Sequence, residues 1–188
     1  MLIGVYSFYY IMLKRKLIIG LIFCILASAF TLRTNQRNFK GTLFDSVMIT
    51  EFSPPTEAPF PSQRKDLLKQ KPDTAATKLK AMLTKPESEE IYRLLTDKKS
   101  YNSKASVCWM PHLGIYFLNK GVIVNYIEVC LDCNKLMSLL RIKDSEPVKL
   151  GKLKLATGLA PAFRKFINSL LVKYHFQHLI EPGSIYDK

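Results

Sequence analysis

The residues with the clearest chemical potential lie between Cys108 and Cys133. This stretch, CWMPHLGIYFLNKGVIVNYIEVCLDC, holds three of the four cysteines and the only tryptophan of the chain. Together with His112, the cysteines follow the spacing C-x3-H-x17-C-x2-C, which can supply three thiolates and one imidazole to a tetrahedral zinc ion. Cys130 and Cys133 also have the Cys-x-x-Cys spacing of redox dithiols. The sequence therefore offers either a zinc site at Cys108, His112, Cys130 and Cys133 or a thiol-redox centre.

Two simpler interpretations use the same cysteines. A structural disulfide needs only Cys108 paired with Cys133 or with Cys130, and it leaves the third cysteine as a free thiol. Three buried cysteines can also serve as small hydrophobic side chains without any chemistry. A doubled Cys-x-x-Cys motif would be specific for zinc, and it does not occur here. The disulfide is the leading interpretation, and the other three remain open.

Two apolar runs around a short break predict a β-hairpin. The runs are Leu113–Leu118 and Val122–Val129, and Asn119-Lys120-Gly121 separates them. A short break that contains Asn and Gly between such runs is a strong hairpin signal.

The length of the turn sets which residues face each other across this hairpin. A two-residue loop places Cys108 opposite Cys133 and His112 opposite Val129, and a three-residue loop shifts the pairing by one position. In both registers the three cysteines meet at the open end of the hairpin.

These residues also resemble a family of proteins. The runs Cys108–His112, Ile115–Phe117 and Tyr126–Asn134 are similar to those of an uncharacterised family of small bacterial exported proteins. Its members carry a Cys-aromatic-x-Pro opening, an apolar hairpin and a closing Cys-x-x-Cys, and the resemblance covers about 100–136. It implies a shape and no activity. Family members often have a histidine where this chain has Leu113, which weakens any mechanism that needs a histidine there.

The N-terminus has the pattern of an export signal. Met12–Lys16 is basic, Leu17–Leu26 is apolar, and Ala27-Ser28-Ala29 matches a cleavage site. Residues 1–29 are therefore predicted to be a signal peptide, and Met12 is predicted to be the true start of the protein. An uncleaved signal would instead anchor the chain in the cytoplasmic membrane. Both alternatives place the domain in a periplasmic or extracellular setting, where disulfides persist.

The chain is strongly basic. Its formal net charge is +13, and loss of Lys14, Arg15 and Lys16 with the signal lowers that to +10. The region Lys135–Lys173 contains nine basic and two acidic residues. Such a balance favours an anionic envelope surface or an acidic protein as partner, and predicted export argues against nucleic acid. Solvated lysines that keep a small protein soluble are the simpler explanation.

The length of 188 residues suits one domain with appendages. We predict a spacer over residues 30–40, a single α+β domain over 41–178 and a C-terminal tail over 179–188. Five of the ten prolines fall within 53–72, which indicates an extended loop inside the domain.

Apolar residues at helical spacing predict three helices. The first spans residues 73–83, the second begins near Pro86, and the third spans Ala162–Tyr174. His175 and His178, which follow the third helix, are predicted to be surface residues.

Further strands are predicted at Leu43–Phe52, Leu136–Ile142 and Lys149–Leu155. The predicted fold class is α+β, with a small antiparallel sheet built on the central hairpin at about 113–130, two helices before it and one after.

No phosphate-binding loop, His-Glu-x-x-His pair, nucleophile elbow or calcium loop occurs in the sequence. We therefore predict a non-enzymatic binding or structural module whose hairpin is stapled by a disulfide, with no catalytic residues and no cofactor. The first alternative is a thiol-redox or zinc-binding centre at Cys108, Cys130 and Cys133. The second alternative is a basic surface that adheres to anionic envelope components.

Overall fold

The structure is a computed structural model that describes residues 38–52, 67–72, 77–101, 103–106, 108–145, 148–150, 153–155, 157–180 and 186. The signal peptide or anchor predicted at 1–29 and most of the proline-rich loop predicted at 53–72 lie outside these residues. None of the helices described has the length and apolar character that a membrane crossing requires.

Nine strands and two helices make up the described part of the chain. In chain order they are β1 (Ser46–Phe52), β2 (Thr77–Met82), α1 (Lys85–Thr96), β3 (Ser103–Lys104), β4 (Leu113–Asn119), β5 (Val122–Cys130), β6 (Lys135–Ser138), β7 (Val148–Leu150), β8 (Leu153–Leu155), β9 (Thr157–Gly158) and α2 (Pro161–Lys173). Five strands form the main sheet in the order β2-β1-β4-β5-β6, and all neighbouring pairs are antiparallel. The predicted α+β class is therefore confirmed.

Of the two loop lengths that the sequence left open, the central hairpin has the two-residue loop, because Asn119 pairs with Val122. Lys120 and Gly121 both have positive φ angles, 51° and 76°, as the turn that best matches twisted antiparallel strands requires. The backbone N–H of Lys120 donates to the carboxylate of Asp45 at 2.6 Å, which lowers the pKa of Asp45. The turn end of the hairpin is thus tied to the chain that enters β1.

A β-bulge interrupts the hairpin two residue pairs beyond the turn. Leu118 faces Ile123, but the next residue, Phe117, faces Asn125, so Val124 has no partner on β4. In this stretch β5 has one residue more than β4, and the bulge takes up that extra residue. The buried side chains on both sides of the bulge therefore stay on the same faces of the sheet.

The bulge makes both predicted registers wrong for the rest of the hairpin. Leu113, and not His112, faces Val129. The chain still follows β5 for one more residue, because His112 donates its backbone N–H to the Val129 carbonyl at 3.1 Å. The segment that carries Cys108 therefore approaches Cys133 from outside the β-ladder.

The helix predicted over residues 73–83 is wrong, because its described part is the edge strand β2. Leu79 and Ala81 are half-buried and Leu83 is buried, whereas Lys78 and Lys80, which alternate with Leu79 and Ala81, are exposed. The same residues fit a helical and a two-residue period, and pairing with β1 decides between them. One described helix, not two, precedes the hairpin.

The second predicted helix is α1, and an acidic residue links it to α2. Glu87 accepts from the Thr84 backbone N–H at 2.8 Å, from Lys173 Nζ at 2.6 Å and from the Tyr174 hydroxyl at 2.7 Å. Burial alone would raise the pKa of Glu87, but these hydrogen bonds outweigh it and lower the pKa to about 2. The acidic residue at the start of α1 therefore connects α1 to the end of α2.

The third predicted helix is α2, and both helices bury their apolar residues against the same side of the sheet. The larger core contains strand residues from β1, β4 and β5 together with Ile91, Leu94, Leu95, Phe163, Ile167, Leu170 and Leu171. A smaller cluster covers the other face, with Met48, Tyr116, Leu118, Ile123, Tyr126 and Leu139. Phe39, in the predicted spacer, and Ile180, in the predicted tail, are also buried in the larger core.

The last two predicted strands are shorter than expected. β6 ends at Ser138 and forms one edge of the main sheet. The strand predicted over Lys149–Leu155 is divided between β7 and β8, which pair with each other in a separate two-stranded sheet.

Candidate functional site

Three sulfur atoms meet at the open end of the hairpin, and we call them the sulfur cluster: Cys108, Cys130 and Cys133. The Sγ atom of Cys133 lies within bonding contact of both other Sγ atoms. The corresponding Cα–Cα distances are 5.8 Å to Cys108 and 5.2 Å to Cys130, both within the range of natural disulfides. Because one sulfur forms one disulfide at a time, the two contacts are alternatives that share Cys133.

The three cysteines differ in their access to solvent. Cys108 is exposed, whereas Cys130 and Cys133 are buried. The sulfur of Cys130 accepts backbone N–H groups from Met110 at 3.4 Å and from Cys133 at 3.2 Å. Two such donors stabilise negative charge on a buried sulfur.

The surface beside Cys108 is aromatic and apolar. Trp109 is half-buried, and Lys135 Nζ lies 5.7 Å from the centre of its ring, within reach of a cation–π interaction. The side chain of Met110 is 51% exposed. A partner that reaches the Cys108 sulfur therefore meets an apolar surface next to it.

A buried polar network holds the loop that follows β5. Asn134 is fully buried with a positive φ of 52°, and its side-chain NH2 donates to the carbonyls of Lys104 at 2.8 Å and Leu159 at 3.1 Å. Arg164 Nη1 donates to the Asn134 side-chain oxygen at 3.1 Å and to the Leu131 carbonyl at 3.2 Å. The loop 131–134 is therefore fixed by the Arg164 side chain and by the backbone carbonyls of Lys104 and Leu159.

Because of this network, one residue of the predicted basic region has a structural role. Arg164 belongs to the predicted basic region Lys135–Lys173, yet it is 3% exposed and acts as an internal hydrogen-bond donor. It contributes to the position of the cysteine loop and not to a basic surface.

A second group of side chains lies beside the same loop, and we call it the imidazole–carboxylate cluster: His112, Asp132 and His178. The two imidazole rings are stacked, with centroids 3.7 Å apart and planes 4° from parallel. Asp132 places one carboxylate oxygen 3.1 Å from His178 Nε2 and the other 3.9 Å from His112 Nδ1. The structure thus groups His112 with Asp132 and His178, while the sulfur cluster contains cysteines alone.

His112 occupies a confined position at the start of β4. It is 7% exposed, and its backbone N–H and carbonyl are both hydrogen-bonded to neighbouring strands. Burial lowers the pKa of His112 and the nearby His178 lowers it further, against the opposing influence of Asp132 and Glu51. Among the residues that the structure describes, its buried Nδ1 atom has no hydrogen-bond partner.

A buried carboxylate brings His178 to this position. Glu51 is 3% exposed, and its two oxygens accept the backbone N–H groups of Gln177 at 3.1 Å and His178 at 2.8 Å. Further along, the Ile180 N–H donates to the Asn168 side chain at 2.9 Å. The segment after α2 is therefore docked against the end of β1.

This docking corrects the prediction that both C-terminal histidines are surface residues. α2 ends at Lys173, and His175 is exposed with a positive φ of 60°. His178 is only half-buried, but its ring is stacked on His112 across the site.

Sequence reasoning missed five residues that build the two clusters. Asp132 and Asn134 offered a local signal, because one lies inside the Cys-x-x-Cys motif and the other directly follows it. Glu51 is a charged residue at the end of an apolar strand, which is a weaker signal. Arg164 and His178 carry no signal in the sequence, because their partners are distant along the chain.

A separate pocket of about 360 Å³ lies away from both clusters. Its lining includes Lys40, Arg141 and Lys143 together with Asn38, and none of the described residues that line it is acidic.

No protein family, curated protein or solved structure matches this chain. The resemblance to exported bacterial proteins therefore stays a prediction, and the function has to be argued from the geometry of the site.

Proposed function

We propose that this chain is a thiol–disulfide exchange protein in which Cys133 forms a disulfide alternately with Cys108 and with Cys130. The observation that carries the proposal is the contact of one sulfur with two others. A purely structural disulfide needs two sulfurs, and the third one here lies where it can attack.

The first step is an exchange inside the protein. With Cys108 and Cys133 bonded, the Cys130 thiolate attacks the Cys133 sulfur, the original S–S bond breaks, and Cys108 leaves as a thiolate. No electrons enter or leave the protein. The step moves the free thiol from a buried position to an exposed one.

The second process transfers electrons to a partner, and it starts from the protein with all three cysteines reduced. The exposed Cys108 thiolate attacks a partner disulfide, forms a mixed disulfide and releases one partner thiolate. The Cys133 thiolate then attacks the Cys108 sulfur, forms the Cys108–Cys133 disulfide and releases the second partner thiolate. The partner disulfide is reduced by two electrons and two protein thiols are oxidised. The reverse sequence oxidises a partner dithiol, and the relative reduction potentials set the direction.

The surroundings support this division of roles. Cys108 is the exposed member and lies beside the exposed side chain of Met110, so it can meet a protein partner. Cys130 is buried and receives two backbone N–H groups, which stabilise its thiolate when Cys133 is bonded elsewhere. The predicted export of the chain would place this chemistry in an oxidising compartment.

Two other functions remain as alternatives for the same sulfurs. A permanent Cys108–Cys133 disulfide would staple the segment before β4 to the end of β5, next to the hydrogen bond from the Ser106 N–H to the Cys133 carbonyl at 2.9 Å. The chain would then be the non-enzymatic binding module that the sequence favours. Three convergent thiolates could instead bind zinc.

Disulfide mapping of the full chain tests the proposal. The protein, with Cys24→Ser to remove the fourth thiol, is equilibrated with reduced and oxidised glutathione at several ratios, quenched with acid, alkylated and digested for mass spectrometry. We expect both the Cys108–Cys133 and the Cys130–Cys133 peptides, with Cys108 alkylated whenever the second bond is present. Cys130→Ser and Cys108→Ser are the matched controls, because each leaves only one pairing with Cys133.

Two results would contradict exchange. A Cys108–Cys133 bond at every ratio, with Cys130 always a thiol, would make the disulfide a staple. In a separate sample with added zinc, alkylated at neutral pH without the acid quench, protection of all three thiols by one equivalent of zinc would make the sulfur cluster a metal site.

A further inference from the structure

We infer that His112, Asp132 and His178 form a binding site for a divalent transition-metal ion, separate from the sulfur cluster. The site has two imidazole nitrogens and one carboxylate. This donor set suits zinc, iron, cobalt or nickel better than magnesium or calcium, which prefer oxygen ligands.

The distances among the donor atoms fit a shared ion. Zinc lies about 2.0–2.2 Å from nitrogen and oxygen ligands, so tetrahedral ligand atoms are about 3.3 Å apart. Asp132 oxygens lie 3.1 Å from His178 Nε2 and 3.9 Å from His112 Nδ1, and all three donors fall within 4.8 Å of one another. Small side-chain adjustments would bring them to one ion.

The state of His112 is the second, independent observation. Its Nδ1 atom is buried, faces the Asp132 carboxylate and has no hydrogen-bond partner in the described part of the chain. Buried polar atoms in folded proteins nearly always have a partner. A separation of 3.9 Å is too long for a hydrogen bond but suits two ligands of one metal ion.

The surrounding residues hold the ligands in place. His112 is fixed by backbone hydrogen bonds to the neighbouring strands, and the Glu51 carboxylate fixes the backbone of His178. Both Glu51 oxygens are already used by backbone N–H groups, so Glu51 adds negative charge without acting as a ligand. Two carboxylates beside two imidazoles make a favourable position for a cation.

One local movement is needed. The stacked rings are parallel, so their nitrogen lone pairs cannot both point to one ion until a ring tilts. The side chain of His178 is 33% exposed and follows the last helix, so it is the ring with room to tilt, whereas His112 is enclosed. Asp132 is 59% exposed, which leaves the remaining coordination positions open to water or a small ligand.

Cobalt(II) titration of the full chain tests the site, because its spectrum distinguishes sulfur from nitrogen and oxygen ligands. We expect one equivalent to bind without sulfur-to-cobalt charge-transfer absorption in the near ultraviolet, and zinc to compete for the same site. His178→Gln should weaken binding by more than the roughly 10- to 100-fold that loss of a supporting hydrogen bond costs. Asp132→Asn should also weaken it.

His175→Asn is the matched control, because this exposed histidine lies three residues away and asparagine tolerates its positive φ. It should bind cobalt as the wild-type chain does. Thermal unfolding without metal should show that His178→Gln and His175→Asn remain folded. Neither variant changes His112, whose burial makes its substitution a risk to the fold.

Three results would overturn the inference: no saturable binding, binding that His178→Gln leaves unchanged, or a strong sulfur-to-cobalt band that disappears in Cys130→Ser. None of them depends on whether the cysteines exchange disulfides, because the mapping experiment is done without added metal. The two proposals can therefore fail separately.

Discussion

The sulfur cluster and the imidazole–carboxylate cluster share the loop 131–134 but are assembled in different ways. All three cysteines come from the hairpin and the short segments on either side of it, and Cys108 and Cys133 are 25 residues apart. His178 reaches Asp132 from 46 residues further along the chain, beyond α2. The first cluster is therefore local to one hairpin, whereas the second also needs the docked C-terminal segment.

This difference teaches which contacts each cluster depends on. The sulfur cluster depends on the conformation of the loop, which Asn134 and Arg164 hold. The imidazole–carboxylate cluster depends on that loop and also on Glu51, which holds the segment of His178. Substitution of Asn134 or Arg164 should therefore affect both clusters, whereas substitution of Glu51 should affect only the imidazole–carboxylate cluster.

The largest effect should come from Asn134→Ala, which removes the support that the clusters share. Three buried hydrogen bonds are lost and alanine is placed at a positive φ, so we expect a loss of about 3–4 kcal/mol in the free energy of unfolding. Denaturant unfolding measures this loss. Asn134→Gly should retain about 1 kcal/mol more than the alanine variant because glycine tolerates the backbone. Equal stabilities of the two variants would rule out the strain component.

Acid should weaken the contacts of Glu87 with Lys173 and Tyr174, which connect α1 to the end of α2. The pKa of Glu87 is about 2 in the folded protein, compared with 4.5 for the free side chain. The stabilisation is complete above pH 4.5 and is lost as the pH falls towards 2, because the unfolded chain takes up the proton first. Lys173 is half exposed, so solvent screening reduces the contribution to about 2 kcal/mol. Unfolding curves at neutral and acidic pH should differ less for Glu87→Gln than for wild type, and identical pH dependence would contradict the assignment.

Variants that lack one cysteine should show how much each disulfide contributes to the free energy of unfolding, because the two bonds close loops of different length. In the chain-entropy treatment, a bond across 25 residues stabilises by about 3.5 kcal/mol and one across 3 residues by about 1.6 kcal/mol. Under non-reducing conditions, Cys130→Ser keeps the long loop and Cys108→Ser keeps the short one. We therefore expect Cys108→Ser to be less stable by about 2 kcal/mol. The stability difference between the same two variants after full reduction, which reflects the burial of Cys130, is the control and is subtracted.

The smallest and most selective effect should come from Glu51→Gln. The amide keeps one acceptor for the C-terminal segment and loses one hydrogen bond to a charged group, which costs about 1.5 kcal/mol. Cobalt binding should weaken while the glutathione-dependent disulfide pattern stays as in wild type. Glu89→Gln, an exposed helix substitution, is the control and should change neither property. A changed disulfide pattern in Glu51→Gln would show that the two clusters are coupled.

The sequence predicts the locally encoded parts of this molecule. Lys120-Gly121 carries its own turn signal, and the apolar stripe Ile91, Leu94 and Leu95 marks α1 and is buried as expected. The hairpin signal also predicts that the three cysteines lie at one end of the hairpin, although their register could not be predicted.

The remaining features depend on contacts that no short stretch encodes. The pattern of residues 77–82 fits both a helix and a strand, and only the presence of β1 selects the strand. The bulge at Val124 has no residue signature such as glycine, so the register beyond it could not be read. The position of His178 follows from a hydrogen bond to Glu51, more than a hundred residues earlier.

The bulge also determines how this hairpin tolerates changes in length. Deletion of Val124 would leave every described β4–β5 pair intact, because that residue has no partner on β4. Deletion of one residue between Tyr126 and Val129 would instead turn Cys130 to the opposite face of the sheet and separate it from Cys133. The number of residues between the bulge and Cys130 is therefore as much a part of the site as the cysteines are, and Val124 is the position where the hairpin can be shortened without changing the β4–β5 pairing.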